Sequence, residues 1–530
     1  MSEDSGDAHG EPPRADAGAP GLTRRALSGG LWVSLGMVVQ TVLRVLVISI
    51  LARLLGPSEF GLAAAATIVT AFCLIFLQAG VRPAVIQRPD LQPRHVRAAF
   101  WLAIAIGAIV AGSVVWAAPS IASRAFDMPD LTPVLRVVCV LVPIQSLGIV
   151  AESLLERNLR FDWLVRLEVS AYFAGYAGVG IGLALAGYGV WALVGAYLVQ
   201  QLVMSTGALL VQPHPKAVSL ERGAVRELVG TGAGFSLGRM LHWGAVEGDK
   251  WVAGRFVGQE GLGLYKYAYD LTNHVSNIFA RVLDRVLFPS MARVQAEPER
   301  LARAYRLGLS LIVVALLPIS AALVVLAPEI VRILLGDAWG AAVAPFQVLA
   351  LAITLRASSR MSDSLARAAG AVYRRAWRQG VYAATVISLA WIGHHWGLVG
   401  LALGAAVGVA VNFALMGQLS TRLAGLSWRQ LLASLLGALP AFLLAGAAFG
   451  GGAQLARACE LAAPLVVAIS LVLGGLALLA ALSLSPRVLL GADGSDAVGL
   501  LLGFARERFP AVFELRAVKP FARHWPRRSG

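Results

Sequence analysis

Residues 239–285 read RMLHWGAVEGDKWVAGRFVGQEGLGLYKYAYDLTNHVSNIFARVLDR. The pattern predicts two helices joined by a short glycine-rich turn. At about 100° per residue, the polar groups of the second helix share roughly one quarter of its circumference. These groups are Lys266, Asp270, His274, Asn277, Arg281 and Asp284. Because lipid penalises a charge at the bilayer centre by about 2.5–3.5 kcal/mol, we expect the two helices to line a water-filled interior.

The rest of the chain is apolar enough to build a membrane wall around this pair. Of the 530 residues, 58% are hydrophobic and 14% are charged, against about 45–50% and about 25% in soluble proteins. Apolar runs of about 20 residues recur along the chain, as transmembrane helices require. The sequence predicts an all-α integral membrane protein with about fourteen spans, near residues 28–54, 60–80, 97–119, 131–155, 163–186, 189–211, 226–254, 260–288, 302–328, 341–366, 374–394, 397–420, 428–449 and 461–484.

The formal net charge of +15 has a simpler explanation than nucleic-acid binding. Lysine and arginine are concentrated in alternate short connectors, as the positive-inside rule demands. We therefore expect those connectors and both termini to be cytoplasmic and no nucleic-acid partner. The three cysteines, Cys73, Cys139 and Cys459, are scattered without a CxxC pair, so the sequence predicts neither a metal site nor a disulfide framework.

An internal repeat relates the first and second parts of the chain. Residues 52–62, ARLLGPSEFGL, align without a gap to residues 254–264, GRFVGQEGLGL. Further along, Gly189 corresponds to Gly397 at a similar offset. After six spans, an even number, the chain returns to the side of the membrane on which it started. The second copy therefore begins on the same side as the first, and the two copies have the same orientation. The repeat therefore predicts parallel halves, related by an axis along the membrane normal, with a cavity between them.

These boundaries divide the chain into six predicted regions. They are a disordered cytoplasmic N-terminal tail (1–25), a first six-helix repeat (26–212), a cytoplasmic linker (213–225), a second six-helix repeat (226–423), two additional transmembrane helices (424–485) and a basic cytoplasmic tail (486–530). The last region either lies on the inner membrane surface, where basic residues meet anionic lipid, or is disordered.

Arginine and lysine outnumber carboxylates on the faces predicted to line the cavity. This excess favours an anionic substrate such as a phosphate, which a guanidinium group binds through two hydrogen bonds. The candidate substrate-binding cations are Arg44, Arg239, Lys250, Lys266, Arg281, Arg356 and Arg360. The candidate coupling or polar cavity groups are His242, Asp249, Asp270, His274, Glu152 and Asp363. The alternative is that some form structural ion pairs, for which Lys266 and Asp270, at i and i+4, are candidates.

Motifs for catalysis are missing from the sequence. It contains no Walker A loop, no HExxH pair and no GxSxG elbow. We therefore expect neither an enzyme nor a cofactor.

Several stretches resemble the polysaccharide-transporter family of Wzx-type flippases. They are LARLLGPSEFGLAAAATIV (51–69), GVRPAVIQR (80–88), LLERNLRFDWLVRLEV (154–169), GYGVWALV (187–194) and DKWVAGRFVGQEGLGLYKYAYDL (249–271). The similarity covers about residues 25–425 and is strongest to the branch of colanic-acid and teichuronic-acid exporters. This branch belongs to the superfamily of multidrug, oligosaccharidyl-lipid and polysaccharide exporters. The resemblance implies two six-helix bundles in a V-shape, two extra helices and alternating access.

The resemblance also implies a substrate and a location. Family members flip undecaprenyl-pyrophosphate-linked oligosaccharides from the cytoplasmic to the periplasmic leaflet of the bacterial inner membrane. Membrane lipids, a polysaccharide polymerase and assembly proteins are the implied partners, and H+ or Na+ coupling is an expectation from the superfamily. Asp249 matches the acidic residue before the family's GR-x-x-G. In the following Y-x-R-A-Y pattern, Tyr267 replaces the arginine and Lys266 precedes it, a helical rotation of about 100°.

Two other functions remain as alternatives. A cation-coupled multidrug exporter of the same superfamily would need an acidic or aromatic cavity, which the arginine excess opposes. A membrane-embedded glycosyltransferase or polymerase would usually display a sizeable external loop with catalytic residues, and the predicted connectors are too short to supply one.

Overall fold

The computed structural model describes residues 39–88, 90–217, 221–295 and 297–508, and every regular element within these ranges is a helix. The predicted N-terminal tail lies outside them. The first half comprises α1 (39–54), α2 (Pro57–Gln87), α3 (Pro93–Ser120), α4 (Leu131–Val138), α5 (Leu141–Arg157), α6 (Phe161–Tyr172), α7 (Ile181–Leu185) and α8 (Val190–Val211). A π-helical segment, Phe173–Gly180, joins α6 to α7 into one continuous span.

The second half repeats this order, and four further helices follow it. The second half comprises α9 (Arg222–Arg293), α10 (Pro298–Val325), α11 (Ala327–Leu334), α12 (Val343–Leu351), α13 (Ile353–Ala368), α14 (Val372–Gly393) and α15 (Gly397–Ala424). The C-terminal helices are α16 (Trp428–Leu436), α17 (Leu439–Ala458), α18 (Ala463–Leu484) and α19 (Pro486–Arg508).

The predicted turn inside residues 239–285 is a sharp break in α9. Gly258 has φ 85° and ψ −176°, a backbone conformation open to glycine because it lacks a Cβ atom. Gly258 is the repeat mate of Gly56, which separates α1 from α2. The break therefore divides α9 into two arms that correspond to α1 and α2.

Other irregularities of the first half recur in the second half. The broken pair α4–α5 returns as α12–α13, which is bent by 45°. The turn at Gly189, with φ 54°, returns at Gly397, with φ 63°. Turns and bends at matched positions confirm two parallel copies of one six-span unit.

The fourteen predicted spans each overlap a helix or a helix pair, although fewer are apolar enough to be identified by composition. Within the described residues, nine segments are long and apolar enough to cross a membrane, or ten with the bent pair α12–α13. One of the nine, Tyr373–Ala424, contains both α14 and α15. The predicted spans missing from this count are α1, described only from residue 39, and the two arms of α9. Their polar residues lower the hydropathy of α9, as expected for helices that face a polar interior.

The two halves share a hydrophobic core toward one end of the bundle and mainly polar contacts toward the other. We call the end that carries the connectors after α2, α5, α8, α9, α13 and α15 the basic end, and the opposite end, which carries Gly56 and Gly258, the glycine end. A hydrophobic cluster at the glycine end draws Phe60 from the first half and Trp339 and Phe346 from the second. The other large clusters lie in one half, or in the second half with the C-terminal helices. In the described part of the chain, the shared hydrophobic core therefore lies toward the glycine end, whereas an ion pair between Arg88 and Glu227 bridges the halves at the basic end.

Repeat-related glycines form the closest contact at the glycine end. A Cβ atom on Gly61 would lie 1.6 Å from the carbonyl oxygen of Gln259, and one on Gly263 would lie 2.0 Å from that of Pro57. Beside them, the Gln259 amide donates a hydrogen bond of 2.6 Å to Ser58 Oγ. Only glycine at both positions allows the two backbones to approach this closely.

The predicted C-terminal tail begins with an ordered helix. α19 packs against α10 and α16 and is broken at Gly491, with φ 68°. Ser434 Oγ of α16 donates a 2.6 Å hydrogen bond to Asp493 of α19. Residues 486–508 are therefore helical rather than disordered, and residues 509–530 lie outside the described part.

Candidate functional site

A cavity of about 620 Å³ lies between the two halves, and we call it the polar cavity. The first half lines it with α1, α5, α6 and α8, and the second half with α9 and α13. The lining residues are Gln40, Thr41, Arg44, Gln145, Glu152, Glu168, Ala171, Gln200, Gln201, Met204, His274, Asn277 and Arg360. Most of these carry an amide, a carboxylate or a cation, so this surface suits a substrate rich in hydrogen-bonding groups.

A second cavity of about 560 Å³ adjoins the first, and we call it the apolar cavity. The two share Thr41, Arg44, Gln200 and His274. Most of the apolar cavity is lined by aliphatic and aromatic side chains from both halves. The cavities together offer one polar and one apolar surface, which fits an amphiphilic substrate.

Arg44 lies at the junction of the two cavities. Its guanidinium carbon is 5.6 Å from the ring centroid of Tyr172, which stacks on Tyr176 with ring centroids 4.9 Å apart. This aromatic stack holds the guanidinium group through a cation–π interaction. Its Nε atom is buried without a hydrogen-bond partner in the described part of the chain. Arg44 is therefore positioned at the cavity with its guanidinium group beside the aromatic stack.

The second half presents Arg360 and His274 to the same polar cavity. Arg360 Nη2 donates a 3.1 Å hydrogen bond to Asn273 Oδ1, which ties α13 to the second arm of α9. His274 Nδ1 lies 2.6 Å from the carbonyl oxygen of Asp270, one turn earlier. Lys266 Nζ lies 2.6 Å from Asp270 Oδ2, so the ion pair considered from the sequence is confirmed. Both members of that pair line the apolar cavity.

The carboxylates of the polar cavity come from the first half. Glu152 is 6% exposed, and its Oε1 atom has no hydrogen-bond partner among the described residues. Its Oε2 atom lies 3.9 Å from Arg82, whose guanidinium group is already bound by Glu156. Glu168 accepts a 3.3 Å hydrogen bond from the Gln40 amide. The cavity therefore combines arginines with carboxylates.

Lys250 and Asp249 lie in a buried cluster, away from the linings of both described cavities. Each residue is 2% exposed. Lys250 Nζ is 3.4 Å from Glu247 and 3.8 Å from Asp249. Asp249 also accepts a 2.7 Å hydrogen bond from the Tyr265 hydroxyl. These contacts assemble charges of both signs inside the second half.

Arg356 completes this buried cluster. Its guanidinium carbon lies 4.4 Å from the ring centroid of Tyr269, and Lys250 Nζ lies 4.0 Å from the same centroid. None of the three guanidinium nitrogens has a hydrogen-bond partner in the described part of the chain. The structure thus places Lys250 and Arg356, two predicted substrate-binding cations, in the protein interior.

Arg239, His242 and Asp363 lie outside both cavity linings. Arg239 is half-buried and donates a 3.3 Å hydrogen bond to the Gln78 side chain of α2. His242 is exposed, and Asp363 forms ion pairs with Arg375 and Arg367. The side chain of Arg281 lies outside the described part of the structure.

The cavity also contains residues that the sequence analysis did not select. Glu168, Gln200 and Gln201 line it from α6 and α8. The sequence offered two signals for them. Glu168 is a lone carboxylate in one apolar span, and Gln200 and Gln201 are a pair of amides in the middle of another. They were overlooked because the search weighted cations, whereas neutral amides disturb an apolar pattern only slightly.

Two parallel six-span halves, closed at one end over a polar cavity, define a polytopic membrane transporter. Comparison with known proteins specifies the family. A family model described as polysaccharide biosynthesis protein matches residues 50–344, more than half of the chain. The chain belongs to this family.

Individual relatives and a solved structure agree with this assignment. The chain is 25% identical over 357 residues to the teichuronic acid biosynthesis protein TuaB of Bacillus subtilis (strain 168), covering 66% of this chain and 73% of that protein. It is 29% identical over 312 residues to the succinoglycan biosynthesis transport protein ExoT of Rhizobium meliloti (strain 1021), covering 58% and 62%. The fold matches the lipid II flippase MurJ in an inward closed conformation with a TM-score of 0.70 at 13% identity, covering 86% and 99%. The protein is a multi-pass membrane transporter of polysaccharide biosynthesis and not an enzyme.

Proposed function

We propose that the protein flips undecaprenyl-pyrophosphate-linked oligosaccharides from the cytoplasmic to the periplasmic leaflet of a bacterial inner membrane. The observation that carries this proposal is the pair of adjoining cavities between the halves, one polar and one apolar. A lipid-linked oligosaccharide needs both kinds of surface, because its sugars and phosphates are polar and its carrier is a hydrocarbon. The family and the names of the relatives support the same substrate class.

Arg44 and Arg360 are the proposed pyrophosphate ligands. They come from different halves and line the same cavity. A guanidinium group binds phosphate oxygens through two parallel, charge-assisted hydrogen bonds. A pyrophosphate held between them would link the halves, so binding would alter the balance between conformations.

Alternating access is the proposed mechanism. The halves are packed together at the glycine end, where Gly61 and Gly263 meet the opposing backbones. Release on that side requires this contact to separate. The positive-inside rule makes the basic end cytoplasmic, and both termini with it. The structure then corresponds to a state that is closed toward the periplasm.

Coupling and partners complete the proposal. Transport is driven by an H+ or Na+ gradient, for which Glu152 and His274, both in the polar cavity, are the candidate groups. Membrane lipids surround the helices, and a polysaccharide polymerase with its assembly proteins uses the delivered units. No resident cofactor is needed.

A leaflet assay tests this function. The protein is reconstituted into vesicles with a lipid-pyrophosphate oligosaccharide, an ion gradient is imposed, and access of a membrane-impermeant lectin is followed. We expect protein-dependent translocation that falls at least about tenfold, or about 1.4 kcal/mol, in Arg44→Gln and Arg360→Gln. Arg300→Gln is the matched control, because Arg300 is exposed at the basic end and, among the described residues, its ion pair is with nearby Glu297. Absence of translocation with several glycans would overturn the proposal.

A further inference from the structure

The contact between the halves at the basic end is polar and accessible to water. Arg88, at the C-terminal end of α2, forms an ion pair with Glu227 in the second turn of α9. The two side chains are 28% and 49% exposed, and an ion pair that water reaches is weak. It can therefore be exchanged for another contact more easily than the hydrophobic core at the glycine end.

The position of Arg88 is fixed by the first half itself. Arg157 Nη1 donates hydrogen bonds to three carbonyl oxygens at the C-terminal end of α2, of which the shortest, 2.6 Å, is to that of Arg88. Arg88 Nε donates a 3.0 Å hydrogen bond to the Asp90 carbonyl oxygen. The first half alone therefore supplies contacts that orient this guanidinium group toward the second half.

His95, in the first turn of α3, is directed at the same carboxylate. Its side chain is fully buried, and Nδ1 accepts a 3.1 Å hydrogen bond from the Gln92 backbone N–H. A neutral imidazole that accepts at Nδ1 carries its proton on Nε2. This Nε2 atom lies 3.8 Å from Glu227 Oε2 and has no hydrogen-bond partner in the described part of the chain. The positive end of the α3 dipole lies behind it, which also favours an anion here.

These donors form a site that suits an anion larger than a carboxylate. Glu227 fills it incompletely, because one oxygen, Oε2, bonds to Arg88 and stays beyond hydrogen-bonding distance of His95. A phosphate group has more acceptor oxygens, and a guanidinium group binds two of them in parallel. A pyrophosphate can therefore bond to both donors and compete with Glu227 for the site.

We propose that Arg88 and His95 form the entry site for the pyrophosphate group of the lipid-linked substrate, and that Glu227 is a resident anion that keeps the basic end closed until the substrate displaces it. The inference rests on the proposed flippase function and adds a loading step to it. Arg239, about three helical turns further along α9, bonds to Gln78 of the first half. A second contact between the halves is therefore also made by an arginine, which a moving pyrophosphate can engage in turn.

Two substitutions that break the same ion pair separate closure from binding. Glu227→Gln removes the resident anion, and Arg88→Gln removes the cation that binds the substrate. Spin labels on Asn158→Cys and Gly223→Cys, in a Cys459→Ser background, report the separation of the halves at the basic end. Both label positions are exposed, and a Cβ atom at Gly223 meets no atom within 4 Å. We expect both variants to populate a separated state without substrate, and the labelled parent protein to reach it only when a lipid-pyrophosphate oligosaccharide is added.

Equilibrium binding of the same oligosaccharide to the purified protein then distinguishes the two variants. Glu227→Gln should bind it at least about threefold more tightly than wild type, because more of the protein is in the binding-competent state. Arg88→Gln should bind it at least about tenfold more weakly than Glu227→Gln, because a charge-assisted contact is lost. The matched control is Glu297→Gln, which breaks an exposed ion pair within the second half and should change neither separation nor binding.

Each contrary result overturns a defined part of the inference. Equal tightening in Glu227→Gln and Arg88→Gln would overturn the entry site, and an unchanged separation in both would overturn the role of Glu227 in closure. Phosphatidylglycerol vesicles without substrate test the other source of phosphate, and separation as complete as with the substrate would overturn the assignment to pyrophosphate. Opposite binding changes in a protein that translocates nothing would support the entry site and overturn the flippase function.

Discussion

Arg44 and Arg360 in the polar cavity differ from Lys250 and Arg356 in the buried cluster, although all four are cations in membrane-spanning segments. The first pair lines a space large enough for a ligand. The second pair flanks the ring of Tyr269 inside the second half. The pairs differ in burial: Lys250 lies within 4 Å of two carboxylates and Arg356 lies over the Tyr269 ring, both enclosed by protein, whereas the first pair borders a cavity. A charge in an apolar span therefore does not by itself mark a binding residue.

Loss of Lys250 should have the largest effect on stability. Lys250→Ala leaves Glu247 and Asp249 without their nearest cation, and removing one partner of a buried ion pair costs about 3–5 kcal/mol. We expect a large drop in the melting temperature of the purified protein, or failure to accumulate in the membrane. Arg300→Gln is the control, and a Lys250→Ala protein as stable as wild type would show that the cluster is not structural.

The contrast between these two cation pairs shows how far the sequence could predict the site. Helical periodicity correctly placed His274 and Asn277 on a cavity-facing stripe, because residues one turn apart share a face. It could not separate Arg356 from Arg360, which are also one turn apart on α13. The first lies over Tyr269 and the second reaches the polar cavity. That difference depends on how far each side chain extends past neighbouring helices, which is a tertiary property.

The fold was more accessible to prediction than the site. Matched glycines identified the repeat because chain reversals such as Gly258 and Gly397, both at positive φ, need a particular backbone conformation. A hydropathy criterion alone omits the two arms of α9, which the sequence analysis placed at residues 226–254 and 260–288, because their polar residues lower the hydropathy. Gln200 and Glu168 were overlooked because single polar residues in apolar spans carry no pattern that relates them to each other.

Disrupting the close packing at the glycine end should have the next largest effect on the stability of the closed state. Gly263→Ala places a methyl group where the Pro57 carbonyl oxygen lies, 2.0 Å from the ideal Cβ position. Overpacking of this kind costs about 1–3 kcal/mol, so the closed glycine end should lose population. Cysteine labelling of residues near Ser58 by a membrane-impermeant reagent reports the opening.

Gly112→Ala is the matched control for this variant, because a Cβ atom at Gly112 meets no atom within 4 Å. The reference is the protein that carries the labelling cysteine but neither glycine substitution. Equal labelling of this reference, the Gly263→Ala variant and the Gly112→Ala variant would contradict the role of the glycine contact. It would also show that the halves are held together by side chains such as Trp339, whose indole N–H donates a 3.0 Å hydrogen bond to the Ala52 carbonyl.

The Lys266–Asp270 pair should give the smallest effect on stability. Both side chains remain partly exposed, at 21% and 30%, and an i, i+4 pair on a helix surface is worth about 0.2–0.5 kcal/mol. Lys266→Gln should therefore change the melting temperature by less than about a fifth of the change in Lys250→Ala. A comparable decrease in melting temperature in Lys266→Gln and Lys250→Ala would contradict the distinction between buried and cavity-facing charges.

The central claim is that Arg44 and Arg360 act on the substrate and not on the fold, and a paired measurement on the Arg44→Gln, Arg360→Gln double variant tests it most directly. Lectin-monitored translocation and melting temperature are recorded on the same preparation. The account predicts that translocation falls more than about tenfold while the melting temperature stays within about 2 °C of wild type. Translocation at the wild-type rate in a stable double variant would contradict it.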